Sequence, residues 1–144
     1  MPIEAPGLSG TGPTLTVVDP SGAPTNILDA DQAFQVVVDW SISASTALTL
    51  GSGNWSVSVY AESQGPGPER QVGTTVTVPL TGGTNFSATV NVPAGQLPAE
   101  STTPQRSGVY KLVTIINHQN GLVPPQDTEV SGFEELPIIR MRQP

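Results

Sequence analysis

The sequence predicts an all-β fold, a two-layer sandwich of short strands, and three observations carry that reading. Apolar and polar residues alternate with period two in several segments, Gly and Pro (15 of each) punctuate the chain between them, and no segment shows a convincing helical pattern. Successive strand side chains point to opposite faces, so strict alternation marks a strand with one buried face. The clearest case is Asp31 to Ile42, where Phe34, Val36, Val38, Trp40 and Ile42 take every second place and Gln35, Asp39 and Ser41 stand between them. Its β-branched and aromatic content suits a half-buried pleated surface.

The other elements follow in order. Met1 to Pro13 contains too many Pro and Gly for a helix or a central strand and reads as an extended arm, with the sandwich domain occupying residues 14–144. Thr14 to Val18 alternates and is closed by Asp19-Pro20-Ser21-Gly22, a strand running into a turn. After Phe34 to Ile42 comes a Ser, Thr and Gly-rich connection, Ser43 to Gly53, in which Leu48 and Leu50 extend a strand. Asn54 to Ala61 then places Trp55, Val57, Val59 and Ala61 on one face and Ser56, Ser58 and Tyr60 on the other. Glu62 to Arg70 is a breaker-rich loop.

Val72 to Val78 and Phe86 to Val92 flank Thr81-Gly82-Gly83-Thr84, which predicts a hairpin of two antiparallel neighbours. Pro93 to Ser107 is a long crossover with room for one helical turn. Gly108 to Asn117 is the second dominant strand, Gln119 to Gly132 a loop, and Leu136 to Arg142 the last strand. The expectation is seven strands and no helix.

Composition bounds the function. A chain of 144 residues forms one domain, but a hydrophobic fraction of 36% leaves its core lean. Five Lys and Arg against 12 Asp and Glu give a net charge of −7, which repels phosphate backbones, so nucleic acid is not an expected partner. The absence of Cys removes disulfides, thiol catalysis and Cys-ligated zinc. No apolar run approaches the ~18 residues of a membrane helix, so membrane insertion is not expected. MPIEAPGLSGTGP has neither a basic start nor an apolar stretch and does not read as a signal peptide. The neutral Ser and Thr-rich exterior suits a virion or another extracellular assembly.

Seven alternating strands, one long crossover and Gly108-Val109-Tyr110 at the start of the sixth strand resemble an immunoglobulin-like Greek-key sandwich. The resemblance implies that Tyr110 bonds through its hydroxyl to an upstream backbone group. It also implies that the sixth strand lies between the third and the seventh. The chain departs from antibody domains in having no inter-sheet disulfide, so Trp55 lacks the sulfur pair such a Trp packs on.

No catalytic constellation accompanies these strands. His118, the single histidine, sits where the sixth strand runs into a loop and lacks any hydrolase signature around it. Asp29 with Asp31, and Asp127 with Glu129, are the weak calcium candidates, and Glu134-Glu135 is a further carboxylate pair, though no calcium-loop motif occurs. Parity places Trp40 and Trp55 in the core, which argues against an aromatic sugar platform. Asn54-Trp55-Ser56 and Asn85-Phe86-Ser87 match the glycosylation sequon by chance.

The sixth strand is the most informative. Tyr110, Leu112 and Ile116 fill one face, while Val109, Val113 and Ile115 occupy the other, broken only by Lys111. A strand apolar on both faces is usually covered on both. The cover is either the arm or a long loop of this chain, or another protein. In the second case Tyr60, Val109, Val113, Ile115 and Ile138, with Arg140 and Arg142 beside them, form a protein interface. The two arginines also serve to protect an edge strand.

The expected function is therefore that of a non-catalytic structural or accessory subunit of a larger assembly, such as a virion surface, a sheath or a cell-surface array. It has no cofactor and works through protein contacts, including contact with its own kind. Two alternatives stand beside it. One is a small module binding calcium or carbohydrate through Asp29 to Asp31, Ser43 to Gly53 and Pro93 to Ser107; the other is an unrecognised hydrolase around His118.

Overall fold

The computed structural model describes residues 10–122 and 126–144, and these form an all-β, sandwich-like domain. Its elements are β1 (Gly10–Val18), β2 (Ile27–Asp29), β3 (Phe34–Ile42), α1 (Ala44–Leu50), β4 (Asn54–Ser63), β5 (Arg70–Pro79), β6 (Asn85–Val92), β7 (Ser101–Thr102), β8 (Gln105–Arg106), β9 (Val109–Gln119), β10 (Asp127–Glu134) and β11 (Ile138–Arg142). One sheet has the order β1-β3-β6 and the other β2-β11-β9-β4-β5, with β10 also paired to β9; β7 and β8 form a separate small hairpin. β11 and β10 lie end to end along the same flank of β9, reaching Val109 to Lys111 and Thr114 to Gln119 respectively.

The alternation in β3 is realised as expected. Phe34, Val36, Val38, Trp40 and Ile42 are buried, and Gln35 and Asp39 are exposed. Trp55, Val57, Val59 and Ala61 of β4 and Tyr110, Leu112 and Ile116 of β9 face them across the sandwich. At its centre Trp40 and Trp55 meet edge to face at 5.8 Å, and Phe86 lies 5.8 Å from Trp40 and 5.6 Å from Trp55. Such aromatic pairs add to the burial that holds the two sheets together.

Several expectations need correction. The described residues contain 11 strands and a helix, against seven strands and none. Leu48 and Leu50 do not extend a strand: Ser43 caps α1 by accepting the Thr46 amide at 3.1 Å, and Gly51, at φ +73°, ends it. The segments around Thr81 to Thr84 are not a hairpin, because β5 pairs with β4 and β6 with β3. Leu80 is buried and its amide donates to Gly53 O at 2.9 Å, which carries the connection across from one sheet to the other.

Asp127 to Glu134 is a strand and not part of a loop. The long crossover contains the β7–β8 hairpin and not a helical turn. β1 begins at Gly10, so residues 10–13 of the expected arm belong to the sheet; residues 1–9 lie outside the described ones.

Three buried polar atoms are poorly served among the described residues, the indole Nε1 atoms of Trp40 and Trp55 and the hydroxyl of Thr114. Thr114 is fully buried on the inner face of β9, and its hydroxyl has no hydrogen-bond partner among the described residues. An orphaned buried hydroxyl costs about 1–3 kcal/mol. Thr114→Val should therefore stabilise the domain by about 1 kcal/mol, read as a higher urea midpoint at unchanged slope.

Candidate protein interface

The outward face of the larger sheet is built row by row from strand registers. Phe133, Ile115 and Ser58 lie side by side across β10, β9 and β4. Val113 pairs with Tyr60, and Tyr60 with Gln71 of β5. Ile138, Lys111 and Glu62 make the next row, and Ile27, Arg140 and Val109 the one after it. Tyr60 is 38% exposed, Ile115 37%, Phe133 40%, and Ile138 48%. Val109 and Val113 are half-buried. A shallow hollow of about 500 Å³ lies beside them, lined by Tyr60, Glu62, Glu69, Arg70, Val113 and Ile115.

This face therefore brings together the residues that parity predicted, and β9 has the expected neighbours β4 and β11. Sequence reasoning missed Phe133, because Gly132 takes the inward place before it and breaks the alternation of β10. Ile27, 51% exposed, was missed as well, since β2 is only three residues long.

The arginines need a different account. β2 pairs in parallel with β11, so β11 is not an edge strand and Arg140 and Arg142 do not protect one. Arg140 pairs instead with Glu100 at 2.9 Å and Arg142 with Asp29 at 2.6 Å. Lys111 lies 3.5 Å from Glu62 and 3.9 Å from Glu135. The cations of β9 and β11 on this face, Lys111, Arg140 and Arg142, are thus matched by carboxylates of the same chain.

The opposite sheet presents a different surface. Gln35, Asp39, Ser87, Thr89 and Asn91 are exposed there, and Gln35 Nε2 donates to Asn91 Oδ1 at 2.9 Å. It is neutral apart from Asp39 and carries little apolar area.

The other candidates fall apart in space. Asp29 lies beside Arg142 at one end of the larger sheet, whereas Asp127 pairs with Gln119 at the far end of β9. At about 3.3 Å per residue, the length of β9 separates the two by roughly 30 Å. They share no site. The side chain of Glu129 lies outside the described residues. Among the described residues no group of three or more His, Asp or Glu could hold a metal ion. Of the proposed ligand loops, Pro93 to Ser107 meets Asp29 to Asp31 through the Gly95 amide donating to Ala30 O at 3.1 Å. Ser43 to Gly53 is at the opposite end, beside Gln119.

His118 is not a loop residue. It lies in β9, 2% exposed, 5.5 Å edge to face from Trp55. A carbonyl only accepts, so Nε2 donates to Ser52 O at 2.9 Å, and Nδ1 lies 3.0 Å from the Thr128 hydroxyl. Both ring nitrogens are engaged in tying α1's exit and β10 to β9.

Tyr110 is also fully buried, and its hydroxyl donates to Pro98 O at 2.7 Å, the upstream backbone bond that the resemblance implied. Burial raises its pKa above the usual 10.0, against the opposing pull of Arg106 and Arg70, so the phenol stays a donor. No protein-family model matches the chain, and no curated protein matches it.

Proposed function

We propose that this chain is an immunoglobulin-like sandwich that works without a catalytic site, as a structural or accessory subunit of a larger protein assembly such as a virion surface, a sheath or a cell-surface array. The observation that carries the reading is the outward face of β4, β9, β10 and β11, where Tyr60, Ile115, Phe133 and Ile138 lie together and exposed. Contiguous apolar patches of this kind mark interaction surfaces. The immunoglobulin-like assignment draws support from β1, β3 and β6 facing β11, β9, β4 and β5, and from the Tyr110–Pro98 bond.

A photo-cross-linker at Ile115, introduced into the full chain in its native host, tests the reading. It should capture a protein, and the same probe at Thr89 on the opposite sheet should not. Equal yields at both positions, or none at either, would overturn it.

One observation favours a ligand-binding module as the second reading. A groove of about 580 Å³ lies at the end of the smaller sheet, lined by Asp19, Gln32, Gln35 and Asn91 with Pro20 and Pro93. Neutral amides beside a carboxylate suit sugar hydroxyls, and NMR shifts at Gln35 and Asn91 on adding oligosaccharides would reveal such binding.

A further inference from the structure

We propose that the connection from β9 to β10 is a self-modification site, at which the Gly121 amide nitrogen attacks the Asn120 side chain and converts it to aspartate and isoaspartate. The reaction is independent of the interface reading above. Asn120-Gly121 is the chain's single Asn-Gly pair. The other five asparagines precede Ile27, Trp55, Phe86, Val92 and His118, whose side chains crowd the nitrogen that would have to attack. Asn54, Asn85, Asn91 and Asn117 also lie in strands, whose ladders hold the backbone extended.

The turn supplies what the reaction needs. Asn120 Oδ1 accepts the Leu122 amide, two residues on, at 3.2 Å, which makes an Asx-turn. Such a turn folds the side-chain carbonyl back over the Asn120-Gly121 peptide and sets Cγ beside the Gly121 nitrogen. Prealigned reacting atoms lower the barrier by removing the entropy of bringing them together. Oδ1 also accepts the Gln126 amide at 3.1 Å. Two backbone N–H groups aimed at the oxygen that gains charge as the nitrogen adds have the arrangement of an oxyanion hole. Gly121 is exposed, and among the described residues its amide donates to no acceptor. It can therefore lose its proton to water, and it has no side chain to bar the approach.

The reaction balances with water as its co-reactant. Gly121 N gives up its proton and bonds to Asn120 Cγ; the Cγ–Nδ2 bond breaks, and Nδ2 leaves with a proton as ammonia. Water then opens the succinimide ring at one carbonyl or the other. The aspartate product keeps an acceptor for both amides and adds one negative charge to a chain of net charge −7. The isoaspartate product routes the main chain through Cγ and lengthens it by one atom, so the Leu122 and Gln126 amides lose their shared side-chain acceptor. That loosens the end of β10 where Asp127 pairs with Gln119 and Gln119 Nε2 donates to Asp127 Oδ1 at 3.1 Å.

The test incubates the purified full chain at neutral pH in water enriched in heavy oxygen, both folded and unfolded in guanidinium, and maps every asparagine by tandem mass spectrometry. In the folded chain position 120 alone should exchange its amide for an acid, with heavy oxygen taken from the water. It should do so faster than in the unfolded chain, which lacks the Asx-turn and both donors. Gly121→Ala should slow the change at least ~10-fold. The added carbon would have only Ser52 Oγ within 4 Å, at 3.8 Å, so the variant should keep the fold, which circular dichroism checks. A rate at position 120 equal to or below that of the unfolded chain would overturn the proposal, because the turn would then not promote the reaction. Several asparagines reacting alike in the folded chain, or a folded Gly121→Ala variant reacting at the unaltered rate, would do the same.

Discussion

Trp55→Ala should cost about 3–5 kcal/mol, the usual range for deleting a fully buried aromatic side chain. Against a domain stability of about 5–15 kcal/mol, that leaves the fold marginal. Trp55 is 0% exposed and touches Trp40, Phe86 and His118, so its loss opens a cavity between the sheets that flat strands cannot close. His118 would lose its ring contact, loosening the bonds that hold Ser52 and Thr128 to β9. Urea titration followed by Trp40 fluorescence and far-ultraviolet circular dichroism would read the loss as a lower midpoint. Trp55→Phe is the informative companion. It keeps the aromatic contact and removes an indole N–H that has no hydrogen-bond partner among the described residues, so its cost should be less than half as large. Equal costs for the two variants would mean that ring packing is not what holds the sheets.

The parts of this fold that could be read from sequence are those in which one residue's neighbours decide its place. β3, β4 and β6 alternate without interruption, so their faces follow from parity, and with them the burial of both tryptophans. The same parity placed Tyr60, Val113 and Ile115 outward. What escaped depends on distant partners. α1 has only seven residues, too few for a helical period, and two of them are threonine; it exists because Ser43 caps it and Thr46 and Ala47 are buried. The partners of β5 and β6 are chosen by packing, whereas the Gly82-Gly83 signal that suggested a hairpin is local. At β10, Gly132 at an inward position erased the pattern. β2 became visible only through its parallel pairing with β11, which also changed the meaning of Arg140 and Arg142 from edge protection to internal neutralisation.

Gly108→Ala should be nearly as damaging, by a different route. Gly108 sits at φ +70° just before β9, a conformation that glycine adopts without steric cost. A Cβ there would stand 2.5 Å from the Glu100 amide nitrogen and 2.9 Å from Met141 O, both backbone atoms that cannot swing aside. Met141's own amide donates to Gly108 O at 2.7 Å, so moving β11 away sacrifices that bond. Left-handed strain and overpacking together should cost about 3 kcal/mol or more. Gly82→Ala separates the two effects. Its φ is +88° with nothing within 4 Å of the added carbon, so only the conformational cost, about 1 kcal/mol, should appear. Equal destabilisation of the two variants would show that the contact at Gly108 is yielding.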